Sequence, residues 1–146
     1  MRKDEASSNV HFFSTQFFQK IQDQGPESVK SWTKRRDINI FEKKFVFIPI
    51  NDSLHWSLCV IVNPGKIENA FHSNENPNPK DVPSEEDAPF LLFLDSLKAH
   101  QQVKVKKHIY AWLNLEAKRL NKFQELRNGE PFFRYSLPMF DPKGEI

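Results

Sequence analysis

Cysteine is almost absent from this sequence, since Cys59 is the single such residue in 146. One thiol excludes an internal disulfide and every zinc site built from several cysteines. Glycine is also scarce, with 4 residues, which excludes collagen-like and glycine-rich low-complexity classes. No stretch approaches the ~20 apolar residues of a membrane-spanning helix, and no apolar signal-peptide core opens the chain. These absences predict a protein of a reducing compartment, the nucleus or the cytoplasm, with no membrane partner.

Charge of one sign is not in large excess either. The formal net charge is +2, which is too small to indicate a nucleic acid as partner. Two short basic runs, Lys34 to Arg36 and Lys104 to Lys107, are typical of solvated helix or turn surfaces. The 5 histidines show no metal-ligand spacing and no HExxH motif. We therefore expect no metal site and no cofactor.

Phenylalanine, in contrast, is abundant. The 14 Phe residues supply the large, rigid side chains from which a core can be built. Phe13, Phe17 and Ile21 recur at helical spacing and predict a helix. A short helix is predicted over 28–34, and apolar residues at helical spacing predict a long amphipathic helix over about 101–125.

Strand-like runs separate these helices. The segments 45–50 and 56–62 are rich in β-branched and aromatic residues and are joined by turn residues at 51–53. A third apolar run lies at 90–94, and the aromatic tail over 132–140 favours one more short strand. Helices flanking a small mixed sheet predict an α+β fold.

The chain length suits a single domain. Residues 1–11 form a polar lead-in, and the domain itself is predicted over 12–146. Residues 63–88 are dominated by Asn, Pro, Glu and Asp, a composition typical of a surface insertion. No internal repeat is present.

Two residues at strand ends could carry chemistry. His55 lies where the turn meets the second strand, and Asp95 lies where the third strand ends. If these strands are neighbours, the carboxylate can hold the imidazole in one tautomer and stabilise its protonated form. On their own, a histidine that begins a strand is more often structural, and an aspartate after a strand is commonly a turn residue or helix N-cap.

Four flanking segments favour the catalytic interpretation. In chain order they are WTKRRDI at 32–38, FIPIN at 47–51, HWSL at 55–58 and FLDSL at 93–97. As a set they resemble the catalytic domain of the Ulp/SENP family, the cysteine proteases that process SUMO and related ubiquitin-like proteins. The resemblance runs from about Phe12 to the last residue.

The resemblance implies a papain-like mechanism, in which a cysteine thiolate attacks the carbonyl after a Gly-Gly tail. His55 matches the family's catalytic histidine and Asp95 its aspartate. Trp56 matches the tryptophan beside the narrow tunnel that admits the two glycines, although a core aromatic at a strand start is an alternative. Trp32 matches a family aromatic that we interpret as structural. The implied partners are SUMO or another ubiquitin-like protein and its conjugates.

The nucleophile of the family has no counterpart in this sequence. The family carries it in a motif like Gln-x(5)-Asp-Cys-Gly, which is absent here. Cys59 cannot replace it, because it lies four residues after His55 inside an apolar strand. We therefore expect an incomplete papain-like catalytic domain, clipped at both ends, that hydrolyses nothing on its own. The alternative is a pseudoprotease module that binds a ubiquitin-like protein, or a truncated fragment without a role of its own.

Overall fold

The computed structural model describes residues 9–52, 55–66, 88–95, 102–121 and 139–140. The strands of these segments are, in chain order, β1 (Val10–Phe12), β2 (Phe45–Asp52), β3 (His55–Val62), β4 (Phe90–Leu94) and β5 (Met139–Phe140). The α-helices of these segments are α1 (Thr15–Gln24), α2 (Lys30–Lys34) and α3 (Gln102–Arg119). Short 3-10 turns lie at Pro26–Val29, Ile40–Glu42 and Pro64–Lys66.

The strands form one mixed sheet in the order β1-β2-β3-β4-β5. The β2–β3 and β3–β4 pairs are antiparallel, and the outer pairs β1–β2 and β4–β5 are parallel. A small mixed sheet with helices is the α+β arrangement expected from the sequence, which is confirmed. A strand within the aromatic tail is also confirmed at 139–140, while 132–138 lies outside the described residues.

One face of the sheet, which we call the inner face, forms the hydrophobic core together with the helices. Side chains of a strand alternate between the two faces, so every second residue points inward. The fully buried inner-face residues are Val46, Ile48, Ile50, Cys59, Ile61, Leu91 and Phe93. They belong to the same core cluster as buried residues of α1 and α3. The opposite, outer face carries the alternate residues, among them Trp56 and Leu94.

Helix α1 confirms the predicted helix, but it begins at Thr15, so Phe13 of the predicted stripe precedes it. Phe17, Phe18 and Ile21 are its buried residues. The helix ends at Gly25, whose φ of 89° lies in the left-handed region that favours glycine. The Gly25 N–H donates to the Ile21 carbonyl at 2.8 Å and thereby closes the last turn.

Strand β1 was not indicated by the sequence. It overlaps the end of the polar lead-in, of which residues 1–8 lie outside the described part. Val10 pairs with Phe45 of β2 in parallel register, and the Phe12 ring stacks on Phe47 with centroids 4.6 Å apart. The segment is only three residues long and has a histidine at its centre, so its sequence shows no alternation of apolar and polar residues that would predict a strand. The strand forms because the segment pairs with β2.

Helix α3 is shorter than the predicted range. Val105, Ile109, Trp112 and Leu113 are buried as the stripe predicted, but the helix ends at Arg119. Asn121 adopts a φ of 54°, a left-handed conformation that stops a helix and that Asn tolerates. Residues 122–125 of the prediction lie outside the described residues. Within the described segments, no helix combines the length and apolarity needed to cross a membrane.

The predicted insertion is described only at its base, because residues 67–87 lie outside the described part. Asn63 has a φ of 51°, and its side-chain amide donates to the Ala88 carbonyl at 3.0 Å. The Lys66 N–H donates to the Asn63 carbonyl at 2.9 Å. Asn63 therefore joins the two ends of this stretch.

A buried polar cluster links α2, α3 and the loop between α2 and β2. Glu116 is 2% exposed and accepts from Arg119 Nε at 2.9 Å and from the Thr33 hydroxyl. Arg119 also donates through Nη2 to the Ile38 carbonyl at 3.0 Å. Among the described residues, no buried side-chain nitrogen or oxygen of this cluster is left without a hydrogen-bond partner, as burial requires.

Candidate active site

The β2–β3 hairpin places His55 at one end of the sheet. Asp52 and His55 are the last residues that pair across the hairpin. The hairpin forms because both of its strands consist mainly of β-branched, aromatic and other apolar residues. His55 thus begins a rigid strand at a point where the sheet stops, a favourable place for a side chain that exchanges protons.

The register of β4 brings Asp95 to the same end. Leu94, the last residue of β4, pairs with Leu58 of β3. Asp95 follows directly and therefore lies opposite Ser57, on the face that Ser57 shares with His55. The two predicted site residues come from separate strands, and the β3–β4 pairing is what joins them.

The two side chains are in direct contact. His55 Nε2 and Asp95 Oδ1 are 2.5 Å apart. The Asp95 side chain is 3% exposed and the His55 side chain is 14% exposed, so the carboxylate is enclosed while the ring reaches the surface. The Nε2–H group donates to the carboxylate, which orients the ring and makes Nδ1 its basic nitrogen.

Trp56 follows His55 in β3 but lies on the outer face, opposite the face that carries this pair, and is 57% exposed. The alternative that Trp56 is a core aromatic is therefore wrong, because the alternation of β3 turns it away from the helices. Leu94 lies on the same outer face near the same end and is 37% exposed. The sequence did not single out Leu94, because its run of five apolar residues gives no sign of which face each residue occupies.

Cys59 is not part of this site. It lies on the same strand as His55, about 13 Å away along the chain at ~3.3 Å per residue. It is 0% exposed, and burial raises the pKa of its thiol to about 12. A thiol that stays protonated inside a core is not a nucleophile.

The remaining sequence-based candidates do not converge on this pair. Trp32 packs against the core, with its ring 5.7 Å from that of Phe17, which agrees with a structural role. Over the described segments, no three or more His, Cys, Asp or Glu side chains are grouped to hold a metal ion. The lack of a metal or cofactor stays a prediction.

Comparison with known proteins places these observations in a family. Residues 1–129 match the model of the Ulp1 protease family, C-terminal catalytic domain. Probable ubiquitin-like-specific protease 2A of Arabidopsis thaliana is 37% identical over 100 residues, covering 60% of this chain and 11% of that protein. Sentrin-specific protease 6 of Mus musculus is 34% identical over 105 residues, covering 59% of this chain and 9% of that protein.

Solved structures agree at the level of the fold. The C-terminal Ulp1 protease domain in complex with Smt3, the yeast ortholog of SUMO, superposes with a TM-score of 0.58 at 19% identity, covering 96% of this chain and 52% of that one. The Ulp1-like SUMO protease catalytic domain of Chaetomium thermophilum gives a TM-score of 0.59 at 17% identity, covering 95% and 42%.

This chain therefore spans about a tenth of the length of these curated relatives and about half of the solved catalytic domains. The family model nevertheless covers most of it. The chain belongs to the Ulp1 protease family and matches its C-terminal catalytic domain.

Proposed function

We propose that His55 and Asp95 are the base and the orienting acid of a papain-like cysteine peptidase site for SUMO or another ubiquitin-like protein. The observation that carries this proposal is the Nε2–Oδ1 contact of 2.5 Å between an enclosed carboxylate and a ring at the end of the sheet. Family membership supports the reaction class, and the names of the relatives support the class of substrate.

In such a site each of these residues has one task. Because Nε2 donates to Asp95, the imidazole would take the thiol proton at Nδ1 and later return it to the leaving amine. Asp95 stays ionised throughout and stabilises the imidazolium that forms. The attacking thiolate must come from a cysteine other than Cys59, because that thiol is enclosed in the core.

We further propose that the 146-residue chain alone binds its substrate without cleaving it. Trp56 and Leu94 are exposed apolar residues on the outer face, at the same end of the sheet as His55 and Asp95. A flat indole ring leaves room for glycines while excluding larger side chains, which suits a Gly-Gly tail. Chemistry would fail because the sequence has no second cysteine to serve as nucleophile.

Binding is tested by calorimetry with purified SUMO. Trp56→Ala should weaken binding by about 2 kcal/mol, or about thirtyfold in Kd, as expected for an aromatic anchor. Val103→Ala is the matched control, because Val103 is an apolar residue of α3 that is 82% exposed. Equal losses in the two variants, or no binding by the parent chain, would contradict the proposal.

Turnover is tested with SUMO carrying a C-terminal fluorophore. We expect no release of fluorophore by the 146-residue chain. Release that is abolished in His55→Ala would show that another group serves as nucleophile and would refute the proposed inactivity.

The second candidate is a pseudoprotease module that only binds, and the burial of the single cysteine favours it. The two candidates differ in a form of the protein that carries an Asp-Cys-Gly motif. The peptidase proposal expects cleavage there that depends on His55, whereas the pseudoprotease proposal expects binding with no cleavage.

A further inference from the structure

A groove of about 460 Å³ lies between the edge strand β1 and helix α2, away from the catalytic pair. Its walls include Phe12, Ser14, Ser31, Trp32, Arg35 and Arg36. Neither His55 nor Asp95 lines it. Arg35 and Arg36, which follow α2 and belong to a basic run that the sequence indicated only as a solvated surface, thus form one wall of a concave site.

Among the residues that the structure describes, those lining this groove carry positive charge. Arg35 and Arg36 are both exposed, and the described residues that line the groove include no acidic one. In the part of the chain that the structure describes, neither guanidinium has an ion-pair or side-chain hydrogen-bond partner. Arg119 is the contrasting case, because Glu116 and the Ile38 carbonyl satisfy it.

The groove also offers apolar surface and a hydroxyl. Phe12 is 69% exposed, although its ring stacks on Phe47 and is therefore held in place. Trp32 is partly buried and presents the remainder of its surface to the groove. Ser14 precedes α1 without a side-chain hydrogen bond to that helix. An exposed, ordered aromatic beside two arginines is typical of the anchors found at protein interfaces.

We propose that this groove binds an acidic peptide segment of a protein partner, in which carboxylates flank an aromatic residue. The planar guanidinium forks of Arg35 and Arg36 match carboxylates in bidentate geometry. Phe12 and Trp32 then receive the aromatic side chain. Two arginines and a net charge of +2 do not supply the six or more phosphate contacts typical of nucleic-acid binding.

The experiment measures fluorescence anisotropy of a labelled peptide, Gly-Glu-Glu-Phe-Asp-Glu-Gly, with the 146-residue chain. A control peptide replaces each Glu by Gln and Asp by Asn. We expect the acidic peptide to bind at least about tenfold more tightly than the neutral one, and the difference to shrink with added salt.

Two double variants locate the binding. Arg35→Glu with Arg36→Glu should weaken binding of the acidic peptide at least about tenfold. Lys104→Glu with Lys107→Glu makes the same change in net charge on the exposed side of α3 and should alter the Kd less than about twofold. Phe12→Ala should weaken binding about fivefold or more, because the aromatic contact is lost. Circular dichroism of every variant should match that of the parent.

Three results would overturn the proposal: equal binding of the acidic and neutral peptides, equal losses in the two double variants, or no binding at 1 mM peptide. Tighter binding of a labelled oligothymidine that competes with the peptide would assign the groove to nucleic acid instead. None of these measurements involves the catalytic pair, so this proposal and the proposed peptidase site can fail independently.

Discussion

Two enclosed carboxylates of this chain, those of Asp95 and Glu116, have opposite surroundings. Glu116 is held by Arg119 and Thr33, and Arg119 in turn donates to a backbone carbonyl. Asp95 meets the ring of His55 at the end of the sheet. The side chains are almost equally buried, at 2% for Glu116 and 3% for Asp95.

The difference lies in the partner. An arginine stays protonated at every accessible pH, so the Glu116 cluster can only hold elements together. An imidazole can both donate and accept a proton, and the ring of His55 reaches the surface. Burial of a carboxylate therefore does not by itself indicate function, and the catalytic proposal for Asp95 depends on the nature of its partner.

The largest expected effect on stability is for a substitution in the Glu116 cluster. Glu116→Ala should lower the free energy of unfolding by about 3 kcal/mol or more, because Arg119 is left buried without its counter-charge. Urea unfolding measures the loss. Asp23→Ala, which removes an exposed carboxylate of α1, is the control and should change stability by about 0.5 kcal/mol or less. A loss below about 1 kcal/mol in Glu116→Ala would contradict the structural role.

A pH experiment sharpens the contrast between His55, in its contact with Asp95, and the Cys59 thiol on the same strand as His55. Burial raises the pKa of Cys59 from 9.0 to about 12, so the folded chain holds a proton that the unfolded chain releases. This contribution to stability is complete below pH 9.0 and is lost as the pH rises toward 12, by up to about 1.4 kcal/mol per pH unit.

The measurement compares unfolding of the parent and Cys59→Ala at pH 8 and pH 10. The stability of the parent relative to the variant should fall by roughly 1 kcal/mol between the two. A constant difference would mean that the thiol titrates as an exposed group, and Cys59 would then return as a candidate nucleophile.

The smallest effect on stability is expected for a substitution in the proposed catalytic pair. Asp95→Asn should cost about 1 kcal/mol, because asparagine keeps the shape and can still form a hydrogen bond. The tautomer of the His55 imidazole should change more than the stability of the fold, because an amide that donates to Nε2 favours the tautomer protonated at Nδ1.

Nitrogen-15 NMR of the histidine side chains measures this tautomer. Asp37→Asn, at an exposed carboxylate, should leave the His55 signals unchanged. If Asp95→Asn lowered the stability as much as Glu116→Ala does, the His55–Asp95 contact would be structural like the Glu116–Arg119 contact, and the proposed difference between them would be wrong.

Much of the architecture could be predicted because it depends on local periodicity. The phenylalanine stripe of α1, the apolar strands at 45–50, 56–62 and 90–94, and the buried stripe of α3 are all observed. The sequence predicted His55 and Asp95 at the ends of two strands, and in the structure these two residues are in contact. The pairing of Leu58 with Leu94, on which the contact depends, is long-range and leaves no local signal.

The features that sequence could not supply depend on partners distant in the chain. Strand β1 exists through its pairing with β2, and the exposure of Trp56 follows from which face the helices cover. Glu116, one of the charged residues that alternate with apolar ones along α3, is buried because Thr33 and Arg119 satisfy it. Whether a charged residue in an amphipathic helix is enclosed depends on these tertiary partners.

The clamp formed by Asn63 has a consequence for how this domain tolerates change. It fixes where the chain leaves β3 and where it returns at Ala88, so the sheet does not depend on the length of the stretch between them. Doubling such a stretch costs only about 0.6 kcal/mol in closure entropy. Residues can therefore be added or removed between these two points while the register that holds His55 against Asp95 is kept, which makes this the natural position in the domain for an inserted tag or reporter.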